Sequence, residues 1–204
     1  MSLIDVKYLV VGAGFYGAVM AERIASVLKE RVVVIDRRRH MGGNSFSDFD
    51  TATGIECHRY GSHIFHTSME RVWSYITQFA GFTNYQHKVF TRSKGRVFTM
   101  PINLKTLNDF YNVALNPCEM RDFMAQEIAK AGVVEPKNLE EKAISLIGPA
   151  LYEALIRGYT LKQWNSDPRF LPANIITRLP VRYNYNNNYF NDPFQNIPVD
   201  GYAM

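Results

Sequence analysis

With 204 residues, of which 47% are hydrophobic and 21% charged, the chain has the balance of a soluble globular protein and the length to bury a core. Its net charge of +4 is too mild to argue for nucleic acid, and no apolar run approaches the ~20 residues a membrane span needs. Two cysteines, Cys57 and Cys118, give neither a disulfide framework nor a metal-like spacing, which fits a reducing cytoplasm. The first apolar run begins almost at once, so no signal peptide is expected, and Met1-Ser2-Leu3 has the look of a cloning leader.

In chain order, Tyr8-Leu9-Val10-Val11 reads as a buried parallel strand, Phe15 to Leu28 as an amphipathic helix, and Val32-Val33-Val34-Ile35 as a second strand ending at Asp36. Residues 5–36 thus form a βαβ unit. Residues 37–67 are rich in loops and glycine turns, including Met41-Gly42-Gly43-Asn44-Ser45. Met69 to Phe79 reads as a helix with Val72, Trp73, Ile76 and Phe79 on one face. Lys88 to Arg92 and Arg96 to Met100 flank Ser93-Lys94-Gly95, a hairpin signal that Pro101 ends. Four helical patterns follow: Leu104 to Val113, Pro117 to Ala131, Leu139 to Ile147 and Pro149 to Tyr159. Asn103, Asn116 and Asn138 are their expected N-caps. Residues 165–180, with Pro168, Pro172 and Pro180, read as a long loop, and Arg182 to Phe190 as a strand-like, Asn-rich aromatic stretch.

The chemistry concentrates in Gly12, Gly14 and Gly17, a G-x-G-x-x-G set between the first strand and its helix. Gly12 permits the tight turn, Gly14 lets a pyrophosphate approach the backbone, and Gly17 lets helix and strand pack closely. The phosphates of a dinucleotide would sit on the free N–H groups of the helix start. Asp36, at the end of the second strand, has the place of the carboxylate that holds a ribose, and would repel a 2′-phosphate. The run Arg37-Arg38-Arg39 is either a solvated turn or a positive wall beside a bound diphosphate. His63 and His66, three apart, have no third ligand nearby, so no metal is expected. Read by pattern alone, Trp164 would be a core residue, Tyr183, Tyr185 and Tyr189 one face of a strand, and Arg178 a solvated loop residue.

Several blocks together resemble the UDP-galactopyranose mutases: Val11-Gly12-Ala13-Gly14-Phe15-Tyr16-Gly17-Ala18, His40-Met41-Gly42-Gly43-Asn44 and Tyr60-Gly61-Ser62-His63-Ile64-Phe65-His66-Thr67. Met100-Pro101-Ile102-Asn103-Leu104, Gly158-Tyr159-Thr160-Leu161-Lys162-Gln163-Trp164, Arg178-Leu179-Pro180-Val181-Arg182 and Asn188-Tyr189-Phe190 complete the likeness. The resemblance implies a flavin-dependent isomerase that interconverts UDP-galactopyranose and UDP-galactofuranose for cell-wall polysaccharide biosynthesis. It requires reduced FAD without net redox, through a flavin N5–sugar adduct. It implies an α/β fold: an FAD-binding Rossmann-like domain (1–84) with an inserted helical domain (103–164), part of an antiparallel sheet domain (85–102 and 181–204) and a mobile loop (165–180).

By the same resemblance, Gly12, Gly14, Tyr16, Gly17 and Gly43 hold the cofactor's phosphates. Asp36 and Arg37 flank the adenosine ribose, Asn44 touches the diphosphate–ribose region, and His63 and Ile64 lie beside the isoalloxazine, with His63 also a catalytic candidate. Tyr159, Thr160, Trp164, Tyr189 and Phe190 would meet the UDP part of the substrate. His87 stands where relatives often have an asparagine near the uridine, and Arg178 is the loop arginine that closes on the diphosphate in catalysis. A homodimer formed through the helical domain is implied, with no nucleic acid or membrane partner. Two other classes compete: a redox flavoenzyme of amine-oxidase-like type and a non-catalytic nucleotide-binding fragment. Members of the family are longer and continue past Met204 into another helix. The expectation is therefore a sheet lacking its further strands, with Val10, Val33 and Ile35 uncovered, and a 204-residue chain inactive by itself.

Overall fold

The computed structural model describes residues 5–176 and 180–203. They form two compact units, one of the residues up to Gln86 together with those from Asp192 on, the other His87–Asn191. This division differs from the expected boundaries. The hairpin near residue 90 and the stretch after residue 181 group with the helices, and the last dozen residues return to the N-terminal unit.

In the N-terminal unit, strand β1 (Tyr8–Val11) pairs in parallel with β2 (Val32–Ile35), Tyr8 opposite Val32 and Val11 opposite Ile35. Helix α1 (Phe15–Ser26) connects them. The alternation of β1 puts Tyr8 and Val10 on the half-buried side and Leu9 and Val11 on the exposed one. Val10 packs against Gly17 of α1, whereas Leu9 and Val11 remain 59% and 76% exposed. The uncovered side chains are therefore Leu9, Val11, Val34 and Ile35, and the expected exposure of Val10 and Val33 is corrected: both are half-buried. Parallel sheets are normally covered on both faces, and of the described buried apolar side chains only Ala13 and Ile24 belong to this unit.

Residues 37–67 carry more order than their composition suggests. β3 (Ser47–Phe49) and β4 (Glu56–His58) make a short antiparallel pair. β5 (Phe65–Thr67) pairs with β8 (Phe194–Asn196), so the C-terminal residues add a strand here. Helix α2 (Glu70–Ile76) is shorter than expected and leaves Phe79 exposed. From it Trp73 stacks on Phe194 of β8, ring centres 5.4 Å apart, and meets Phe82 at 4.8 Å.

The second unit holds the larger core. β6 (Val89–Ser93) and β7 (Arg96–Met100) form a hairpin whose two turn residues, Lys94 and Gly95, are both left-handed (φ 47° and 78°), the conformation that suits a two-residue turn. α3 (Leu104–Tyr111), α4 (Pro117–Ala129) and α5 (Leu139–Leu151) start at Asn103, Asn116 and Asn138, each of which caps with its side-chain oxygen. α5 kinks at Gly148-Pro149 and runs through a π turn, Tyr152–Arg157, into α6 (Gly158–Trp164). Ile102, Leu104, Leu107, Met120, Ile147 and Leu151 are fully buried between these elements.

Two expectations in this unit need correction. The loop after α6 contains 3-10 turns at Pro168–Phe170 and Ala173–Ile176, with Ile176 in the core. It is tied to the start of α5 by the Leu139 N–H, which donates to the Leu171 carbonyl at 2.8 Å. The stretch 182–190 is not a strand. The side chains of Asn184 and Asn186 accept from the N–H groups of Asn186 and Asn188, replacing ladder bonds with local turns. Tyr183, Tyr185 and Tyr189 accordingly do not share one face by alternation, Tyr183 being half-buried and Tyr185 and Tyr189 exposed.

The α4 start tests the capping logic. Asn116 accepts from Cys118 and Glu119 N–H groups, and the Glu119 carboxylate accepts in return from the Asn116 N–H at 2.8 Å. Asn116→Ala should cost about 1 kcal/mol in urea unfolding, while Asn116→Asp should restore it.

Candidate functional site

The glycine turn is built from backbone contacts. Gly12 stands at φ +108°, which a side chain disfavours, and its N–H donates to the Ile35 carbonyl at 2.7 Å. A β-carbon at position 17 would stand 1.8 Å from the Gly12 carbonyl oxygen and 3.2 Å from Val10 Cγ1, so only glycine fits. Gly14 caps α1 with no side chain over the helix end, which leaves the first-turn N–H groups open to an anion. The second glycine pair, Gly42 and Gly43 (φ 89° and 59°), docks on the first turn. The Gly42 N–H donates to the Ala13 carbonyl at 2.8 Å, and a β-carbon on Gly43 would come within 2.9 Å of Gly14 Cα.

Asp36 closes this arrangement. Its Oδ2 accepts from the Ala13 N–H and its Oδ1 from the Arg38 N–H, both at 2.7 Å. Those bonds, the Ala13 one foremost, hold the Asp36 carboxyl below the usual carboxylate range. Asp36 therefore organises the turn and keeps further lone pairs unused. Arg38, which sequence reasoning did not single out from the arginine run, donates from Nη2 to Asn44 Oδ1 at 2.6 Å and lies 4.3 Å over the Tyr60 ring. Tyr16 is 82% exposed at the head of α1, and Arg37 is exposed beside Asp36.

In the loop before β5, the His63 N–H donates to His58 Nδ1 at 3.0 Å. The Nδ1 of His63 lies 2.8 Å from the Gly61 carbonyl, which can only accept. The proton of the neutral His63 ring is thereby assigned to Nδ1, and Nε2 is its basic nitrogen. His63 and Ile64 are half-buried. His66 pairs with Asp192 at 2.5 Å, and among the described residues no group of three His, Cys, Asp or Glu could hold a metal ion. The same residues include no helix long and apolar enough to cross a membrane.

In the second unit the structure brings His87, Tyr189 and Phe190 together. The His87 ring lies edge-to-face with Tyr189 at 5.2 Å and nearly parallel to Phe190 at 5.9 Å, and the Tyr189 N–H donates to the His87 carbonyl. Burial pushes the His87 ring below its ordinary pKa, which favours the neutral, stacking form. Arg182, whose side chain donates to the Asn186 carbonyl at 3.1 Å and to Asn191 and Asn188, pins this loop, a role the sequence pattern did not reveal. On α6, Tyr159 and Trp164 are 67% and 50% exposed, whereas Thr160 is buried and its hydroxyl donates to the Ile156 carbonyl at 3.0 Å. Arg178 lies outside the described residues.

A family model described as UDP-galactopyranose mutase matches residues 154–204, and one described as an NAD(P)-binding Rossmann-like domain matches residues 10–79. A probable UDP-galactopyranose mutase of Klebsiella pneumoniae is 46% identical over 195 residues, 96% of this chain and 50% of that protein. A dTDP-fucopyranose mutase of Escherichia coli is 41% identical, over 97% of this chain and 52% of its own. The crystal structure of a reduced UDP-galactopyranose mutase superposes with a TM-score of 0.66 at 18% identity, covering 87% of this chain and 38% of that one, which supports the fold. The chain spans about half the length of the curated relatives it matches.

The two glycines of the helix start separate folding from binding. Gly17→Ala should lower the thermal midpoint sharply and disrupt the unit. At Gly14 a β-carbon meets nothing closer than Gly43 Cα at 3.8 Å. Gly14→Ala should therefore melt as the unsubstituted protein does, yet lose dinucleotide binding by about tenfold or more, measured by titration. A second check is pH. Because the Asp36 pKa is lowered in the fold, its contribution is present above the ordinary carboxylate value of about 4 and is lost as pH falls through the depressed one. Dinucleotide retention should fall on that acid limb, and Asp36→Asn should bind weakly at every pH without it.

Proposed function

We infer that the chain, a member of the UDP-galactopyranose mutase family, contributes the dinucleotide clasp and part of the nucleotide-sugar site of a flavin-dependent isomerase that interconverts UDP-galactopyranose and UDP-galactofuranose. The observation that carries the reading is the clasp: two glycine turns in backbone contact, a bare helix start and a carboxylate that accepts from both sides of the turn. This set fits FAD, whose reduced form supplies the covalent chemistry at the sugar when bound. Every group in it serves a pyrophosphate and a ribose without a 2′-phosphate.

The chain's own residues divide the remaining work. Gly12, Gly14, Tyr16, Gly17 and Gly43 frame the diphosphate, with Asp36 and Arg37 at the ribose and Asn44 beside them. His63, with Nε2 as its basic nitrogen, holds or gives up a proton near the flavin ring, where Ile64 adds an apolar wall. His87, Tyr189 and Phe190 offer aromatic faces to the nucleotide, and Tyr159 and Trp164 offer two more. Thr160 steadies α6 and keeps one lone pair for the substrate. Arg178 neutralises the substrate's diphosphate and helps UDP leave. A cytoplasmic homodimer formed through the helical unit, serving cell-wall polysaccharide synthesis, completes the proposal.

The Escherichia coli relative named for dTDP-fucopyranose gives a second reading, a mutase for another nucleotide sugar with the same cofactor chemistry. One assay separates them. The product of the complete gene, reduced with dithionite, should convert UDP-galactofuranose to UDP-galactopyranose and prefer it to the dTDP-sugar. Arg178→Ala should cut turnover by about 10²-fold, and the 204-residue chain by itself should show none. Preference for the dTDP-sugar selects the second reading. Turnover only with an electron acceptor points instead to a redox flavoenzyme.

A further inference from the structure

Two residues of the blocks that mark the family have no role assigned so far: His40, just before the second glycine pair, and Tyr60, which opens the loop leading to His63. The structure links them to Arg38. His40 Nδ1 lies 2.9 Å from the Met41 carbonyl, so that nitrogen carries the proton, and Nε2 accepts from the Tyr60 hydroxyl at 2.8 Å. The His40 ring also stacks on Phe46, centres 3.8 Å apart and 20° from parallel. Held from both sides, His40 fixes the Tyr60 ring, and the Arg38 guanidinium lies on that ring at 4.3 Å.

Arg38 is further confined at both its backbone and its guanidinium. Its N–H is on Asp36 Oδ1 and its Nη2 on Asn44 Oδ1. Asp36 and the Gly43-Asn44 turn are in turn bonded to, or in contact with, the Ala13-Gly14 turn. A free arginine loses rotamer freedom when an anion fixes it. An arginine whose side chain is already fixed by a ring and an amide binds without that cost. One hydrogen-bond donor of its fork is spent on Asn44, and the planar ion retains others.

We propose that Tyr60 is the positioning residue for Arg38, locked by His40, and that the three act as one clamp on the diphosphate–adenosine half of the dinucleotide. The clamp rests on the dinucleotide reading above. It also joins the segment after β2 to the loop that carries His63, since Tyr60 of that loop touches both His40 and Arg38.

The test uses the complete gene product, labelled with ¹⁵N-arginine and freed of flavin. Arg38 Nε–H should resonate upfield from the other arginines because it lies over the Tyr60 ring, with Arg38→Lys identifying the signal. The shift should shrink in Tyr60→Phe, which lacks the hydroxyl that His40 holds, and vanish in Tyr60→Leu. FAD titrations should show a 5- to 10-fold loss, about 1 kcal/mol, in Tyr60→Leu and in Arg38→Ala. The double variant should lose no more than the weaker single one, and the thermal midpoints should stay close together. An unmoved Arg38 signal in Tyr60→Leu overturns the clamp, as do losses that multiply in the double variant. If the unsubstituted protein binds no FAD, the dinucleotide reading fails, while the Arg38 shift still decides whether Tyr60 positions the arginine.

Discussion

The contact between Gly17 and the Gly12 carbonyl is the constraint on which the N-terminal unit depends. It lets α1 approach β1 so closely that no side chain fits between them. That approach brings the helix start, with its free N–H groups, to the end of the strand where Asp36 stands. Asp36 then ties the turn to the following segment through the Ala13 and Arg38 amides. The second glycine turn docks on the first through the Ala13 carbonyl. The candidate anion site is thus assembled almost wholly from main chain, with one carboxylate as its fastener. An arrangement of this kind is rigid before the ligand arrives, which is how a short segment can bind a charged cofactor without reordering.

The two units differ in what holds them. Residues 87–191 have a filled core of aliphatic and methionine side chains, capped helices and a tight hairpin, the features of a segment stabilised by its own packing. In the N-terminal unit α1 covers one face of a two-stranded parallel sheet, and Leu9, Val11 and Ile35 lie bare on the other. At ~25 cal/mol per Å², covering a few such side chains is worth several kcal/mol, comparable to a domain's whole margin of stability. A dinucleotide bound at the turn would stabilise this unit by mass action, because such a site exists only in the folded turn.

Legibility in the sequence followed the strength of local rules. The βαβ unit was readable because strand, glycine spacing and acid each demand specific residues. The caps Asn103, Asn116 and Asn138 were readable because an amide side chain before an apolar period has few other uses. The three-residue strands β3, β4 and β5 were not, since two or three residues carry no measurable period. The pairing of β5 with β8 spans more than a hundred residues and leaves no local trace. The stretch 182–190 misled because its aromatic alternation suggested a strand, whereas its asparagines bond their own backbone. Within the site, Gly12, Gly14, Gly17 and Asp36 could be named from spacing, and the structure brings them together. Arg38 could not, because three consecutive arginines look alike until the Tyr60 ring distinguishes one of them. His87, Tyr189 and Phe190 were suggested by resemblance alone, and their contact arises from the loop that Arg182 pins.

The most direct measurement is a competition titration of the complete gene product with FAD, NAD and NADP, followed by flavin fluorescence. The clasp centred on Asp36 should bind FAD tightly, with ADP competing for the same site and NADP failing to displace it. NADP binding more tightly than FAD would contradict the assignment of Asp36 and the glycine turns, as would FAD binding that ADP cannot compete away.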